Sequence, residues 1–319
     1  MIFSKKYNLY IWDCVWYNIF MKCLYVYNPT SGKQNNANNR EYILSCLMKK
    51  FDEVACLATT KAGDAGLYAK EACGYYDVLV VSGGDGTVNE VINAIADMPN
   101  RPQIGYIPTG TTNDLAHSLG IPKNLKKAMK IILDGHYVNH DIFKVNDRYA
   151  IYVCAFGVFT GTSYLAPQSA KKKFGRLAYF KYGFKELFGA KPFRTTIKYD
   201  DKVVKGTYAL GIVANSKYVA GFRINKMAQC DDGYVNLIFV KDSERKGVSL
   251  PSLFRIAKIF MFGIGKKQIQ SKRCTILKLN KFEVDLPDRA MINLDGESGF
   301  KGSFKVEVLP QHVQIFVKK

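Results

Sequence analysis

A glycine-rich turn between an apolar strand and an amphipathic helix restricts the fold of this 319-residue chain more than any other feature. The turn, Gly83–Thr87, reads GGDGT; it follows the β-branched run Val78–Val81 and leads into the apolar segment Val91–Ala96. Glycines let a ligand approach the backbone closely, and the free N–H groups at a helix N-terminus bind anions. The pattern therefore predicts a phosphate-binding turn within an α/β fold.

This turn matches neither of the two commonest phosphate-binding motifs. A dinucleotide fingerprint needs a third glycine where this chain has Asn89, and the sequence contains no Gly-x-x-x-x-Gly-Lys-Ser/Thr. The carboxylate of Asp85 would repel a bare pyrophosphate, whereas it can help to hold a nucleotide together with Mg²⁺. The turn therefore favours a nucleotide bound with a hard cation.

Three further polar turns repeat the arrangement elsewhere in the chain. Asn28–Lys33 follows the predicted strand Cys23–Tyr27, and Thr109–Asp114 follows the predicted strand Ile104–Ile107. The third, Asn293–Glu297, places two carboxylates around one glycine. Ligands of parallel sheets bind at the carboxyl ends of the strands, so we expect the turns that follow parallel strands to converge on one site.

The order of the predicted elements indicates two domains. From residue 22 to about 133 strands alternate with helices, which is typical of a mostly parallel sheet covered on both faces. After residue 138 strands predominate, as in an antiparallel sandwich. The expected fold class is α/β, with an N-terminal parallel-sheet nucleotide-binding domain at 21–137 and a C-terminal antiparallel β-sandwich domain at 138–309. Predicted strands of the later part include Ala150–Gly157, Phe304–Leu309 and Val313–Lys318.

One predicted helix, Ser249–Phe262, interrupts the strands of the second domain. Apolar residues nearly encircle it, and its only charges are Arg255 and Lys258. Two interpretations are open: a helix that is buried on all sides, or a cover that faces lipid.

The four turns together resemble the catalytic family of diacylglycerol kinases, most closely the soluble bacterial members. The resemblance covers roughly Met21–Lys319 and includes Ala58–Ala65 and Asp231–Tyr234. GGDGT alone is shared with sphingosine kinases and NAD kinases, but GTxND, DDGY and NxDGE in the same chain select the lipid-kinase branch. The resemblance implies two domains with the nucleotide between them, and a last strand, 310–319, that returns to the first domain.

The resemblance also implies which residues bind ATP. The glycine turn would cradle the phosphates together with Asn28–Gly32, while Thr59 and Thr111 would add contacts to the nucleotide. Two carboxylates near the phosphates, Asp85 and Asp114, call for a hard cation between them, so we expect Mg²⁺ there; helix N-capping is the alternative role for each. The full predicted set is Asn28, Pro29, Thr30, Ser31, Gly32, Thr59, Gly84, Asp85, Gly86, Thr87, Val88, Asn89, Glu90, Thr111 and Asp114.

Glu297 and Asp295 are the predicted catalytic residues. A lipid hydroxyl loses its proton as it attacks the γ-phosphate, and a carboxylate within hydrogen-bond reach can accept that proton. We assign the proton to Glu297 and the orientation of the hydroxyl or metal to Asp295, although the reverse order stays open. The resemblance further implies a metal held by Asp232 and the backbone carbonyls of Gln229 and Tyr234, for which an ordinary hairpin turn is the alternative.

The charge of the chain favours an anionic partner. It has 46 Lys+Arg against 27 Asp+Glu, a formal net charge of +19. Nucleic acid would suit the charge, but it does not explain the four turns, and no nucleic-acid-binding motif is present. The basic runs Lys171–Arg176 and Lys266–Arg273 are suited either to an anionic membrane surface or to a solvated protein face.

Together with the turns, the resemblance to diacylglycerol kinases implies an ATP- and Mg²⁺-dependent kinase that converts diacylglycerol to phosphatidate and so feeds phospholipid metabolism. A sphingoid base or monoacylglycerol is the alternative acceptor. A non-catalytic nucleotide-binding protein is the alternative of a different class, which the intact Asp295 and Glu297 oppose.

The predicted location is the cytoplasm, with peripheral attachment to the inner face of the membrane. Eight cysteines without a Cys-x-x-Cys pair fit reduced thiols, and no window predicts a transmembrane helix. Asp13 interrupts the apolar run Leu9–Trp16, so residues 1–20 do not fit a secretory signal. Met21 is a candidate start, and an aromatic arm that touches the membrane is the other interpretation. A homodimer is left open.

Overall fold

The computed structural model of the chain describes residues 20–31, 36–158, 191–243, 247–265 and 273–319. The predictions for residues 1–19, for Gly32, for the run Lys171–Arg176 and for residues 266–272 of the second basic run lie outside the described residues.

Strands and helices alternate in the first part of the chain. They are β1 (Lys22–Tyr27), α1 (Asn36–Leu47), β2 (Glu53–Ala58), α2 (Asp64–Ala72), β3 (Val78–Gly83), α3 (Asp85–Ile95), β4 (Gln103–Pro108), α4 (Asp114–Leu119) and α5 (Leu125–Asp134). β1 pairs in parallel with β2 and with β3, and β3 pairs in parallel with β4. Every residue of β3 is buried, as expected for a parallel strand covered on both faces. The predicted parallel α/β layer is confirmed.

Antiparallel strands make up most of the second part. They are β5 (Tyr137–Val145), β6 (Arg148–Ala150), β7 (Val153–Gly157), β8 (Phe193–Tyr199), β9 (Lys202–Ala214), β10 (Val235–Lys241), β11 (Cys274–Leu279), β12 (Lys281–Asp285), β13 (Met291–Leu294), β14 (Glu297–Lys301) and β15 (Phe304–Phe316), with helix α6 (Leu250–Phe262) between β10 and β11. An aromatic cluster fills the interior, with the Phe239 ring 5.2 Å from Phe156 and 5.3 Å from Tyr208. The expected antiparallel sandwich is confirmed.

One long strand joins the two parts. The segments predicted as Phe304–Leu309 and Val313–Lys318 form the single strand β15, whose register shifts between Leu309 and Val313. β15 pairs antiparallel with β12 and β5, and at Ile315 it pairs in parallel with Ile104 of β4. The C-terminal end of β15 therefore lies beside the parallel strands. The domain boundaries at 137 and 309 stay predictions.

Helix α6 is not buried on all sides, so that interpretation was wrong. Ser252, Ile256 and Ile259 are buried on one side, whereas Leu250 and Phe254 are exposed on another. Within the part of the chain that the structure describes, no helix combines the length and the apolar character needed to cross a bilayer.

Candidate active site

The turns that follow β1, β3 and β4 meet at one edge of the parallel sheet. The backbone N–H of Asn28 donates to the carbonyl of Ser82 at 2.9 Å, and that of Thr109 donates to the carbonyl of Gly83 at 2.9 Å. The hydroxyl of Thr109 also donates to that of Ser31 at 3.0 Å. Three turns that are distant in sequence are thus hydrogen-bonded neighbours, as the parallel topology predicts.

Gly84 in the turn after β3 and Gly110 in the turn after β4 let these two turns approach each other. A Cβ on Gly110 would lie 2.6 Å from the Cα of Gly84, closer than real Cβ atoms come. A Cβ on Gly84, in contrast, would meet Gly110 at 3.4 Å, an ordinary contact, and Gly84 has an extended backbone with φ −96° and ψ −175°. The fold therefore requires glycine at 110, whereas glycine at 84 leaves room for a ligand.

The other predicted nucleotide residues surround this edge in different ways. The side chain of Asn28 accepts from both the N–H and the hydroxyl of Thr30, at 3.0 Å each, which fixes the first turn around Pro29. Thr59, just after β2, donates its N–H to the carbonyl of Tyr27 at 2.9 Å. Thr111 is exposed, and its carbonyl accepts from Lys123 at 2.7 Å.

Within α3 the predicted residues divide into two groups. Gly86 and Thr87 lie in the first turn of the helix. Val88 is a buried core residue whose N–H donates to Gly84 at 3.2 Å, and the backbone of Glu90 packs on Gly66 of α2. Side-chain contact with a nucleotide is therefore better suited to the start of the helix than to its second turn.

Asp85 joins its own turn to the start of α4. Its carboxylate accepts from the backbone N–H of Asp114 at 3.1 Å and of Leu115 at 3.3 Å. The N-cap residue of α4 is Asn113, whose side chain makes no capping hydrogen bond to the helix. Burial raises the pKa of Asp85 above its ordinary value, against the effect of these N–H groups. Asp85 thus has the helix-capping role that was its alternative, but at α4, a helix distant in sequence, rather than at its own helix.

Asp114 connects the nucleotide turns to the second part of the chain. Its buried carboxylate accepts from the backbone N–H of Gly221 at 2.7 Å. Gly221 lies in a tight turn that pairs Val219 with Phe222 and needs positive φ at Ala220 (53°) and Gly221 (80°). This partner was not predicted, because the pair Ala220-Gly221 is only a weak turn signal.

Asp295 is buried beneath the C-terminal turn and holds three chain segments together. Its carboxylate accepts from the N–H groups of Ile151 (2.7 Å), Tyr152 (3.0 Å) and Val153 (2.9 Å), and from the side-chain amide of Asn89 (2.8 Å). These bonds separate β6 from β7, so the prediction of one strand over Ala150–Gly157 was wrong. Burial raises the pKa of Asp295 to about 6, although the four donors favour the ionised form.

Glu297 points away from this buried network towards the phosphate turn. Asp295 and Gly296, with φ of 49° and 85°, form the two-residue turn between β13 and β14. Glu297 is the first residue after that turn and is exposed. One of its carboxylate oxygens lies 3.2 Å from the position that a Cβ on Gly86 would occupy. An exposed carboxylate beside the glycine turn can receive a proton from a hydroxyl bound there.

Three carboxylates concentrate negative charge around two buried tyrosines. Burial, followed by the charges of Asp85 and Asp114, raises the pKa of Tyr106 well above its ordinary value. The same factors raise the pKa of Tyr152, with Asp295 contributing as well. A hard cation fits such surroundings, because Mg²⁺ at a nucleotide site takes one or two carboxylates and completes its shell with phosphate and water.

The described residues contain no group of three or more His, Cys, Asp or Glu that could hold a metal ion by itself. The carboxylates of Asp85 and Asp114 already accept from the backbone, Asp85 from the N–H groups of Asp114 and Leu115 and Asp114 from the N–H of Gly221.

At the predicted second metal site, the carboxylate of Asp232 already has partners. One oxygen lies 2.7 Å from the ammonium of Lys278, and the other accepts from the N–H of Tyr234 at 3.1 Å. Gly233 has a φ of 74°, and Gln229 and Tyr234 are exposed. These are the features of an ordinary turn, so an ion at Asp232 would have to compete with Lys278.

Asp64, a carboxylate for which no role was predicted, stabilises the turn after β2. Asp64 accepts from the N–H and the hydroxyl of Thr60, at 2.7 Å each, and from the N–H of Lys61 at 3.0 Å. These hydrogen bonds lower the pKa of Asp64 below its ordinary value. The Gly63-Asp64 pair in Ala58–Ala65 was the available signal for this turn.

Two family models match the chain in sequence. The model described as the diacylglycerol kinase catalytic domain matches residues 22–145. The model described as the YegS C-terminal NAD kinase beta sandwich-like domain matches residues 153–317.

Similar proteins extend over nearly the whole length. The diacylglycerol kinase of Staphylococcus epidermidis is 35% identical over 296 residues, covering 92% of this chain and 91% of the relative. That of Staphylococcus saprophyticus is 37% identical over 295 residues, covering 91% and 93%.

Two crystal structures of Bacillus anthracis proteins have similar folds. One, at 27% identity, has a TM-score of 0.80 and covers 94% of this chain and 98% of its own. The other, of a diacylglycerol kinase, has a TM-score of 0.76 with the same coverage, and at 24% identity it supports the fold alone. Since the two curated relatives cover more of the chain than either family model and agree with both, the chain belongs to the diacylglycerol kinase family.

Proposed function

We propose that this lipid kinase transfers the γ-phosphate of Mg²⁺-bound ATP to the free hydroxyl of diacylglycerol and releases phosphatidate and ADP. The family implies ATP as the co-substrate. The observation that carries the proposal is the position of the Glu297 carboxylate beside Gly86, the glycine at the start of α3. A proton acceptor and a phosphate-binding turn thereby share one site.

The proposed reaction needs little covalent work from the protein. The lipid oxygen forms a bond to the γ-phosphorus as the bond from phosphorus to the β–γ bridging oxygen breaks, and the hydroxyl proton passes to Glu297. Asp85 and Asp114 would hold Mg²⁺, which supplies charge neutralisation at the phosphates. The N–H groups at the start of α3 bind and orient the triphosphate.

In this proposal Asp295 is a positioning residue. Its four hydrogen bonds fix the turn between β13 and β14 against Asn89 of α3 and against 151–153. The turn in turn sets the position of Glu297 relative to Gly86. This role replaces the orientation of the hydroxyl or metal that was predicted for Asp295.

The phosphate cradle can be tested with Gly84→Ala. We expect the affinity for Mg·ATP to fall by about tenfold, because the added methyl group enters the ligand space and disturbs hydrogen bonds to the phosphates. The melting temperature should not change, since a Cβ at this position makes only an ordinary contact with Gly110. Isothermal calorimetry and thermal unfolding measure the two quantities.

Gly110→Ala is the matched control, because its Cβ would collide with Gly84 and should destabilise the fold itself. Asp85→Ala should also weaken ATP binding, with the cost of an uncapped α4 added. An unchanged ATP affinity in both Gly84→Ala and Asp85→Ala would contradict the cradle.

A second metal at Asp232, with the carbonyls of Gln229 and Tyr234, stays part of the proposal. We expect Asp232→Ala to lower activity about tenfold or more, the usual cost when the support of a metal site is lost. A crystal soaked with Mn²⁺ should give an anomalous peak beside Asp232 in the wild type and none in the variant.

Two further variants distinguish a metal bound at Asp232 from the ion pair between Asp232 and Lys278. Asp231→Ala removes a neighbouring exposed carboxylate and should leave activity unchanged. Lys278→Ala removes only the partner of Asp232. If Lys278→Ala lowers activity as much as Asp232→Ala and no anomalous peak appears, the segment is a structural turn.

The acceptor is tested with labelled ATP and a panel of lipid alcohols in mixed micelles, with products resolved by chromatography. We expect label in phosphatidate. Label in the product of a sphingoid base or monoacylglycerol would reassign the substrate within the lipid kinases. ATP binding without label in any lipid would favour the non-catalytic alternative.

We further propose that the enzyme works in the cytoplasm, attached peripherally to the inner membrane face. The formal net charge of +19 supports an anionic surface as the partner rather than a neutral one. The division into domains at 21–137 and 138–309 stays a prediction. The same holds for a homodimer.

A further inference from the structure

One side of α6 presents large apolar side chains to solvent. Leu250, Phe254, Met261 and Phe262 are 76%, 74%, 64% and 62% exposed. Together with the exposed Lys258 they follow a spacing of three and four residues, which places them along one side of the helix. These five residues are called the outer face of α6. Contiguous exposed apolar residues of this kind mark an interaction surface.

The helix beneath this face is firmly anchored. Ser249 caps the N-terminus of α6, since its side chain accepts from the N–H of Ser252. At the other end, the N–H of Gly263, the residue that follows the helix, donates to the carbonyl of Ile259 at 2.7 Å. On the inner side, the ring of Phe260 packs against that of Phe222 at 5.6 Å. The exposed side chains therefore stand on an ordered helix with its own buried side, rather than on a frayed segment.

The surroundings of α6 in sequence are strongly cationic. Between Glu244 and Glu283 the chain contains no Asp or Glu. Lys and Arg residues in this interval are Arg245, Lys246, Arg255, Lys258, Lys266, Lys267, Lys272, Arg273, Lys278 and Lys281. Of these, Lys278 and Lys281 already pair with Asp232 and Glu307. Asp242, at the N-terminal end of α6, is held by the N–H groups of Ser243 and Ser249. An apolar helix face within a basic stretch of sequence has the character of a helix that lies in an anionic membrane interface.

A short chain of contacts connects α6 to the nucleotide turns. Phe222, which packs on Phe260, closes the tight turn that contains Gly221. The N–H of Gly221 donates to the carboxylate of Asp114 at 2.7 Å. The underside of α6 is therefore one turn away from a carboxylate of the proposed phosphate site.

We propose that the outer face of α6 docks on a bilayer that contains anionic phospholipid, with its apolar side chains at the boundary between headgroups and acyl chains. Docking there would leave the tight turn at Gly221, and the Asp114 carboxylate behind it, on the side of α6 that faces away from the bilayer. The inference rests on the proposed function and names the surface through which the enzyme meets its substrate.

The test is the double variant Phe254→Ser/Phe262→Ser, compared with Met48→Ser/Leu67→Ser, which removes exposed apolar side chains from α2 and the segment after α1. Binding is measured by sedimentation with vesicles of phosphatidylglycerol and phosphatidylcholine, and with vesicles of phosphatidylcholine alone. Activity is measured on diacylglycerol in the same vesicles and on a short-chain diacylglycerol below its aggregation concentration. Thermal unfolding checks that both variants fold.

We expect the α6 variant to lose at least about tenfold in affinity for the anionic vesicles. Its activity on vesicle diacylglycerol should fall in parallel, while its activity on the short-chain substrate stays at the wild-type level. The Met48/Leu67 variant should match the wild type in both. Wild-type binding should be weaker to neutral vesicles and should decrease with salt.

Wild-type vesicle binding by the α6 variant would overturn the docking surface. So would a shift from dimer to monomer in sedimentation velocity with vesicle binding unchanged, which would assign this face to a second copy of the chain. Equal wild-type binding to neutral and anionic vesicles would also overturn the proposal as stated. If the wild type binds vesicles through α6 but phosphorylates neither form of diacylglycerol, the docking is supported and the proposed function fails.

Discussion

Replacing Glu297 with glutamine is expected to lower turnover on diacylglycerol by about 100-fold, within the usual range for loss of a general base. Glutamine preserves the size of the side chain and its place beside Gly86, but it cannot accept the proton of the lipid hydroxyl. The affinity for ATP should stay near the wild-type value, because Glu297 lies on β14 rather than in the turns that would bind the phosphates. Steady-state kinetics and calorimetry on one preparation measure both quantities.

Glu307→Gln is the control for this change. Glu307 is also an exposed glutamate on a strand of the same part of the chain, and its ion pair with Lys281, at 3.3 Å, is of the surface kind that contributes little to stability. Glu297→Gln with more than about a third of wild-type turnover, together with an inactive Asp295→Asn, would reverse the two roles. Activity in both variants would contradict the assignment of the site.

Asp295→Ala is expected to lower the free energy of unfolding by about 3 kcal/mol or more. The change leaves four buried donors without their acceptor, namely the N–H groups of Ile151, Tyr152 and Val153 and the amide of Asn89. It also places alanine at a φ of 49°, a conformation that Asp adopts more readily than alanine because its short polar side chain can hydrogen-bond locally. Chemical denaturation of the wild type and the variant gives the difference.

Asp285→Ala provides the matched control, because Asp285 is half-exposed and its carboxylate pairs with Lys198 at the surface. It should cost less than about 1 kcal/mol. A loss for Asp295→Ala no larger than that of the control would contradict the role of Asp295 as the residue that joins three segments.

The difference in free energy of unfolding between the wild type and Asp295→Ala should also depend on pH, which gives a second readout. The folded-state pKa of Asp295 is about 6, against an ordinary value of 3.8, so between these values the folded protein holds a proton that the unfolded chain has lost. The contribution of this carboxyl to stability is therefore fully present below pH 3.8 and declines as the pH rises to about 6. The stability difference between wild type and Asp295→Ala should decline over that window and be level above it.

Local sequence was sufficient to predict the parallel layer and its turns. β-Branched runs such as Val78–Val81 leave few alternatives to a buried strand, and a glycine turn after each strand marks its carboxyl end. Since parallel strands end at the same edge, the meeting of Asn28, Gly84 and Thr109 followed from topology without knowledge of any contact.

Features that depend on distant partners could not be predicted in this way. Ala150–Gly157 has the pattern of one strand, and it is interrupted because Asp295, remote in sequence, takes the N–H groups at 151–153. Pro310 and Gln311 indicate a break between two strands, but Gln311 adopts a φ of 50° and β15 continues through a register shift. In both cases tertiary hydrogen bonding overrides the local pattern.

The buried side of α6 and the partners of the acidic residues could not be predicted for a related reason. Apolar residues nearly surround the helix, so their spacing cannot select the side that packs on Phe222. The pairing of Asp232 with Lys278 and of Asp114 with Gly221 likewise depends on chain segments that only the folded structure brings together. A carboxylate in a motif can therefore be predicted as functional while its partner cannot.

The central claim is that the glycine turn and Glu297 form one phosphoryl-transfer site, and a crystal structure with Mg²⁺ and a non-hydrolysable ATP analogue tests it most directly. The account predicts that the triphosphate lies on the N–H groups at the start of α3, with Asp85 and Asp114 next to the metal and the γ-phosphate facing Glu297. A triphosphate bound away from Gly84 and Gly86, or a γ-phosphate on the far side of the turn from Glu297, would contradict it.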